Sequence, residues 1–147
     1  MNLEKLSEGF LAVEGYKIFS WPTWAGPGML VACLATAREG DTIALLDVTK
    51  PAEAKIIEIL WKRGPDLDLT PRWPLYLPET GRCFFFGVDE ANKRILCSVK
   101  RGESGKAKRM EPELLDDWRG GLTASPNGRY LLLHANRPAS SQERINP

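Results

Sequence analysis

The segment PLYLPETGRCFFFG, residues 74–87, places a proline and a tyrosine ahead of a Pro-Glu-Thr-Gly turn, then runs straight into apolar residues. Two other segments have the same layout: PTWAGPGMLVACLA, residues 22–35, and LTASPNGRYLLLHA, residues 122–135. The runs Cys83-Phe84-Phe85-Phe86 and Leu131-Leu132-Leu133 are apolar at every position. A half-exposed strand would alternate apolar with polar, so runs of this kind need cover on both faces.

The turn glycines Gly28, Gly81 and Gly128 stand 53 and 47 residues apart. A period of roughly 40–50 residues is that of a four-stranded propeller blade, and stacked blades cover both faces of a sheet without helices. The agreement extends past the glycines. After the first comes a strand, the turn Arg38-Glu39-Gly40-Asp41 and a second strand, TIALLDV. After the second comes a strand, the turn Asp89-Glu90-Ala91-Asn92 and a second strand, RILCSVK. Both turns use the Gly, Asp or Asn that tight hairpins require.

The expectation is an all-β chain of consecutive three- to four-stranded antiparallel sheets, an incomplete propeller-like ring. Strands are expected near residues 29–37, 42–48, 55–61, 82–88, 94–100 and 129–135, with an N-terminal strand or two in residues 9–19. The blade-like units span about residues 20–63, 70–111 and 119–136 of one domain, and 137–147 reads as a tail. One segment resists. Residues 49–64, TKPAEAKIIEILWKRG, carry helix start and stop signals. The repeat favours a turn at residues 50–54 and a strand with Ile57, Ile59 and Trp61 on one face; a helix over 51–62 is the competing reading.

At these segments the chain resembles the TolB-like, WD-like propeller repeat, whose core runs Pro-x-Trp-Ser-Pro-Asp-Gly-Arg/Lys into an apolar strand. SPNGRYLLL, residues 125–133, is the nearest match, with Asn127 in place of the usual Asp. Asn preserves the turn, since either side chain bonds the backbone ahead and tolerates a left-handed conformation. LPETGRCFFF has one extra residue before its glycine, and WAGPGMLV keeps only Trp24 and Gly28. The resemblance covers residues 16–136. It implies structural roles, in turn and blade core, for Trp24, Gly28, Pro74, Tyr76, Pro78, Gly81, Ser125, Pro126, Asn127 and Gly128. It implies nothing catalytic. Some relatives of the repeat accompany a serine hydrolase domain, and the Ser-His-Asp constellation on an α/β sheet that such a domain needs is not in this sequence.

Composition narrows the chemistry. Hydrophobic residues make up 43% and charged residues 27% of 147, which suits a globular domain rather than a disordered chain. Lys and Arg number 20 against 19 Asp and Glu, a balance that argues against a dedicated nucleic-acid binder. Cys33, Cys83 and Cys97 lie in apolar runs with no CxxC spacing and read as small buried hydrophobes. No metal or other cofactor is expected. The start MNLEKLSEGF lacks a signal-peptide core, and the longest apolar stretch, residues 29–37, is too short to span a bilayer. The chain as written is therefore expected in the cytoplasm; as a fragment of a longer exported protein it would be periplasmic or extracellular.

Individual candidates are thin. His134 is the one histidine and ends an apolar strand, without a second group for acid–base work. Asp116 and Asp117, beside Trp118, read as a solvated loop rather than a catalytic pair. KRGESGKAKR, residues 100–109, is the one basic run; it falls at a turn between outer strands and holds no aromatics of the kind that bind single-stranded nucleic acid. Five Trp are many for this length. Trp24 takes the core position of the repeat, while Trp21, Trp61, Trp73 and Trp118 lie near strand ends, to bury against a neighbouring blade or rim a binding surface.

The expected function is a non-catalytic propeller module that binds a protein or peptide, or serves as a scaffold. The alternative is the propeller portion of a larger prolyl oligopeptidase-like hydrolase. Two and a half blades leave two faces without neighbours, one preceding the Trp24 strand and one at residues 130–134. The expected consequence is either self-association, most simply as a two-fold dimer approaching a six-blade ring, or an aggregation-prone truncation. Residues 10–13, Phe-Leu-Ala-Val, are expected to pair with the open edge of the last blade, within one chain or from another copy.

Overall fold

A computed structural model describes residues 11–36, 40–103, 105–110, 121–125 and 127–133. Phe10, Asp116, Asp117, Trp118, Pro126, His134 and the tail 137–147 lie outside the described residues. The described residues form antiparallel β-sheets linked by short turns.

The first sheet contains β1 (Lys17–Ile18), β2 (Thr23–Gly26), β3 (Met29–Thr36), β4 (Gly40–Asp47) and β5 (Lys55–Lys62). β1 and β2 follow one another along the same edge of β3, so the sheet is a meander four strands wide whose first strand is broken at residues 19–22. The second sheet is the uninterrupted meander β6 (Thr70–Leu77), β7 (Arg82–Val88), β8 (Arg94–Lys100) and β9 (Lys108–Met110). β10 (Leu122–Ala124) and β11 (Leu131–Leu133) open a third.

The three turn glycines do the same work in each sheet. Gly28, Gly81 and Gly128 close the hairpins β2–β3, β6–β7 and β10–β11 with φ of 67°, 64° and 64°. The Gly28 carbonyl accepts the Val48 N–H at 2.8 Å, and the Gly81 carbonyl accepts the Arg101 N–H at 2.8 Å. Each turn is thereby tied to the end of the third strand of its sheet. A Cβ at Gly81 would meet only Arg101 Cβ at 3.6 Å, and one at Gly128 only Glu79 Oε2 at 3.7 Å, so space is not the constraint. The positive φ is. Gly81→Ala and Gly128→Ala are each expected to cost about 1 kcal/mol in urea unfolding; an unmoved midpoint would contradict the turn assignment.

The contested segment resolves as a short 3-10 turn, Pro51–Glu53, followed by β5. Pro at the start and Glu in the first turn are the helix signals, and they last for that one turn. Beyond it the β-branched Ile56 and Ile57 and the pairing offered by β4 favour a strand. The single face expected for Ile57, Ile59 and Trp61 is not found. β5 skips one residue at Ile57 and another at Leu60 in its register with β4. Each bulge reverses the alternation, so Trp61 is buried against the second sheet while Ile57 and Ile59 are exposed. The bulges also roughen an edge strand that would otherwise invite pairing.

The sheets stack face to face, closest where β2 and β3 meet β6. Between the first and second sheets lies one core, with Val31, Cys33, Ile43, Leu45 and Trp61 on one side and Tyr76, Cys83, Phe85, Cys97 and Val99 on the other. The Trp61 and Phe85 rings are 5.2 Å apart between centroids. A second cluster covers the opposite face of the first sheet: Ala32, Leu34, Ala44 and Leu46 with Val13 and Ala54, and Leu11 and Tyr16 packed against them. This places residues 11–13. Ala12 accepts the Ala54 N–H and donates to the Pro51 carbonyl, both at 3.1 Å. The described part of the N-terminal segment therefore lies along the first sheet and not along the edge of the last.

Candidate functional site

The inner strands carry the most unusual backbone. On β6, Trp73 and Pro74 together oppose the single residue Phe85 on β7. Trp73 sits at φ 47°, a left-handed conformation that a bulky residue adopts at a cost of about 1–3 kcal/mol. What holds it is visible. Its N–H donates to Ser20 Oγ at 2.9 Å, its ring meets Phe86 edge-on at 6.1 Å, and the Arg94 guanidinium lies 4.7 Å over its face.

Neighbouring groups extend the seam. Thr23 Oγ1 donates to the Pro74 carbonyl at 2.6 Å. Arg72 donates to the Phe19 carbonyl at 3.0 Å and lies over the Phe19 ring. Arg94 Nη1 is buried without a hydrogen-bond partner, its charge facing the Trp73 ring. The seam latches the two sheets at their inner edge. It contains no nucleophile beside a base and no pair of carboxylates. Thr23→Val is expected to remove about 1 kcal/mol of stability, since it takes this hydrogen bond from the Pro74 carbonyl; an unchanged denaturation midpoint would mean that the latch is not formed in solution.

The cysteines behave as small core residues. All three are buried and free. Burial pushes the Cys33 thiol up to about 12 and the Cys97 thiol up to about 11, and pushes Cys83 upward as well. Unfolded thiols ionise near 9.0 while the native ones stay neutral. Above that pH the unfolded state holds fewer protons than the native state, so this contribution to stability, complete at lower pH, is lost as pH rises toward 11–12. At pH 8 the folded chain is expected to resist Ellman's reagent and to release three thiols on unfolding. Rapid labelling of the native protein would show an accessible thiolate.

Several charged groups pair with one another. Arg63 bridges Asp41 and Asp68, and Arg101 reaches across to Glu58 at 2.6 Å. A shallow hollow is lined by Asp47, Thr49, Lys50, Glu53 and Lys55. The Asp47 carboxylate accepts the Thr49 N–H at 2.9 Å and hydroxyl at 2.7 Å, which holds its pKa below the usual range. Equal numbers of acidic and basic groups give the hollow no charge preference. Among the described residues no three His, Cys, Asp or Glu side chains gather to hold a metal ion. The basic run at 100–109 turns from β8 into β9, with Lys100 paired to Glu103.

The expected structural residues divide. Pro74 and Tyr76 are buried, and Pro78 is exposed in the β6–β7 turn. Asn127 Oδ1 accepts the Arg129 N–H at 3.1 Å and the Ser125 hydroxyl at 2.7 Å, the side-chain-to-backbone turn its position called for. Trp24 does not enter the core. Alternation along β2 gives the inward place to Ala25, and Trp24 is 69% exposed.

Register explains the exposure of Trp24 and of the third sheet. The pairs next to the turn are Gly26–Met29, Leu77–Arg82 and Ser125–Tyr130; the next pairs out are Trp24–Leu30, Tyr76–Cys83 and Ala124–Leu131. Trp24 thus occupies the position of Tyr76. Tyr76 is on the back of its sheet, facing the sheet that precedes it in the chain, and is 5% exposed. One residue further along the second strand, Val31, Phe84 and Leu132 correspond, on the front. Val31 is 0% exposed, Phe84 7% and Leu132 60%. Tyr130, which matches Arg82, is exposed beside Leu132. Among the described residues the sheets therefore follow one another front to back, with Trp24 exposed on the back of the first and Tyr130 and Leu132 on the front of the third. The sequence places Trp24 at a core position, which the structure does not bear out, and leaves Trp21 to a neighbouring blade or an exposed rim; Trp21 is exposed.

Compared with known protein families, curated proteins and solved structures, the chain has no match.

Proposed function

We propose that the chain is a non-catalytic, propeller-like module of the TolB-like or WD-like kind, whose uncovered end faces bind a protein or peptide or hold it as a scaffold. The observation that carries this reading is the pair Tyr76 and Trp24. The equivalent position is covered in the second sheet, where the first sheet packs on it, and 69% exposed in the first. Trp24, Tyr130 and Leu132 are the side chains that a docked partner would desolvate, and rings of this size each contribute roughly 150–250 Å² of buried surface. Among the described residues the seam and the ion pairs hold no nucleophile beside a base, which supports a binding role over a catalytic one.

Photocrosslinking in cells of the source organism tests the reading. Trp24 and Leu132 are replaced one at a time by benzoylphenylalanine, with exposed Glu90 as the control position. Discrete protein adducts are expected from positions 24 and 132 and not from 90. Absence of adducts at both end faces would overturn the proposal.

A further inference from the structure

We infer that Asn127 is a self-modifying site: it deamidates by attack of the Gly128 backbone nitrogen on its side chain, and the β10–β11 turn holds that reaction back while the hairpin is folded. The reaction does not depend on what binds the end faces. Of the five asparagines in the chain, at positions 2, 92, 127, 136 and 146, only Asn127 precedes a glycine. Any other residue after it would set a Cβ beside the attacking nitrogen. Asn127 is exposed, so water and hydroxide reach it. Ser125 Oγ at 2.7 Å and the Arg129 N–H at 3.1 Å both donate to its Oδ1, and neither holds the amide nitrogen that must leave.

The chemistry consumes only water. Hydroxide removes the Gly128 amide proton, and the nitrogen forms a bond to Asn127 Cγ. The Cγ–Nδ2 bond breaks, and the nitrogen leaves as ammonia with a proton taken from water. A five-membered imide now joins the two residues. Water opens it at either carbonyl. Cleavage between the Gly128 nitrogen and Cγ gives aspartate. Cleavage between that nitrogen and the main-chain carbonyl carbon of residue 127 gives isoaspartate, with the backbone routed through the side chain. Nothing is oxidised or reduced.

The turn restrains both reacting groups. The Gly128 N–H donates to the Ser125 carbonyl at 2.9 Å, so the nucleophile's proton is engaged. The Ser125 hydroxyl and the Arg129 N–H pin the carboxamide through Oδ1, and the same hydroxyl accepts the Tyr130 N–H at 3.0 Å. Imide closure needs Cγ to turn toward the Gly128 nitrogen, so these bonds must open first. The products then differ in effect. Aspartate offers the oxygen that Ser125 and Arg129 already use, now with a full charge, and keeps the hairpin. Isoaspartate adds a carbon to the backbone within the turn, which disturbs the pairing of Ala124 with Leu131.

Ageing the full chain in mildly alkaline buffer, folded and in guanidinium chloride, tests both parts. Peptide mass spectrometry reads the exchange of NH2 for OH at each asparagine. Asn92 is the control, a turn residue at φ 62° followed by lysine. In denaturant, Asn127 is expected to convert at least about tenfold faster than Asn92, the effect of an unshielded nucleophile. In the folded chain it is expected to convert about tenfold more slowly than in denaturant, since hydrogen bonds of ordinary strength must open. Each conversion takes the formal net charge from +1 to zero, so ion exchange separates the products. Ser125→Ala removes the hydroxyl and leaves the backbone bonds. It should speed conversion several-fold in the folded chain and leave the rate in denaturant unchanged. A hairpin unfolded outright by that substitution would convert at the denaturant rate, as the gate also requires. Equal rates at 92 and 127 in denaturant would overturn the site. A parent chain that converts equally fast folded and unfolded, or a folded rate untouched by Ser125→Ala, would overturn the gate.

Discussion

Phe85→Ala is expected to lower the unfolding free energy by about 3–5 kcal/mol, with a fall in melting temperature on the order of 10 °C. Phe85 is completely buried and lies between the first two sheets, its ring against Trp61. Its strand β7 pairs with β8 along its full length, and β3 with β4 across the junction, so the space left behind cannot easily collapse. The loss should exceed that of Trp24→Ala, even though Trp is the larger residue, because Trp24 is mostly in water. Thermal unfolding of the two variants side by side checks the ordering. Equal losses would mean that the stacking of the sheets is not the main source of stability.

Gly87→Val is expected to destabilise by about 3 kcal/mol, the upper end for overpacking. Gly87 sits within β7, where a β-branched residue would ordinarily suit the backbone. The obstacle is Leu69. A Cβ at position 87 would lie 2.5 Å from Leu69 Cδ1 and 2.9 Å from Leu69 Cβ. A methyl end can rotate away; a Cβ moves only with its backbone. Leu69 is buried in the core between the sheets, so the connection leading into β6 would have to shift. In the Leu69→Ala background the same substitution should cost at least about 1 kcal/mol less. Additive losses would place the strain elsewhere.

Much of the fold is legible because the repeat is written at the turns. Glycines at positive φ, and Asp or Asn bonding ahead, mark hairpins whatever surrounds them. Each strand expected after such a turn is found within a residue or two among the described residues. β6 is not legible. Pro71 and Pro74 disguise an inner strand, and only its pairing with β7 and the bulge at Trp73 show how two prolines fit there. The bulges at Ile57 and Leu60 are equally silent in the sequence, since an extra residue in a ladder depends on the partner strand. Trp24 shows the deeper limit. Its register position matches that of Tyr76, but its exposure depends on whether another sheet covers it, which no local pattern records. The latch among Ser20, Thr23, Arg72 and Trp73 joins residues about 50 apart, and single polar residues carry no mark of such a partner.

The front-to-back order of the sheets is tested most directly by nuclear Overhauser contacts between aromatic side chains. The Trp61 ring is expected to show contacts to the Phe85 ring, and the Phe19 ring to the side chain of Arg72, each pair linking the first sheet to the second. The Trp24 ring is expected to show none to Phe85. Contacts between Trp24 and Phe85, with none between Trp61 and Phe85, would turn the first sheet over and contradict the account.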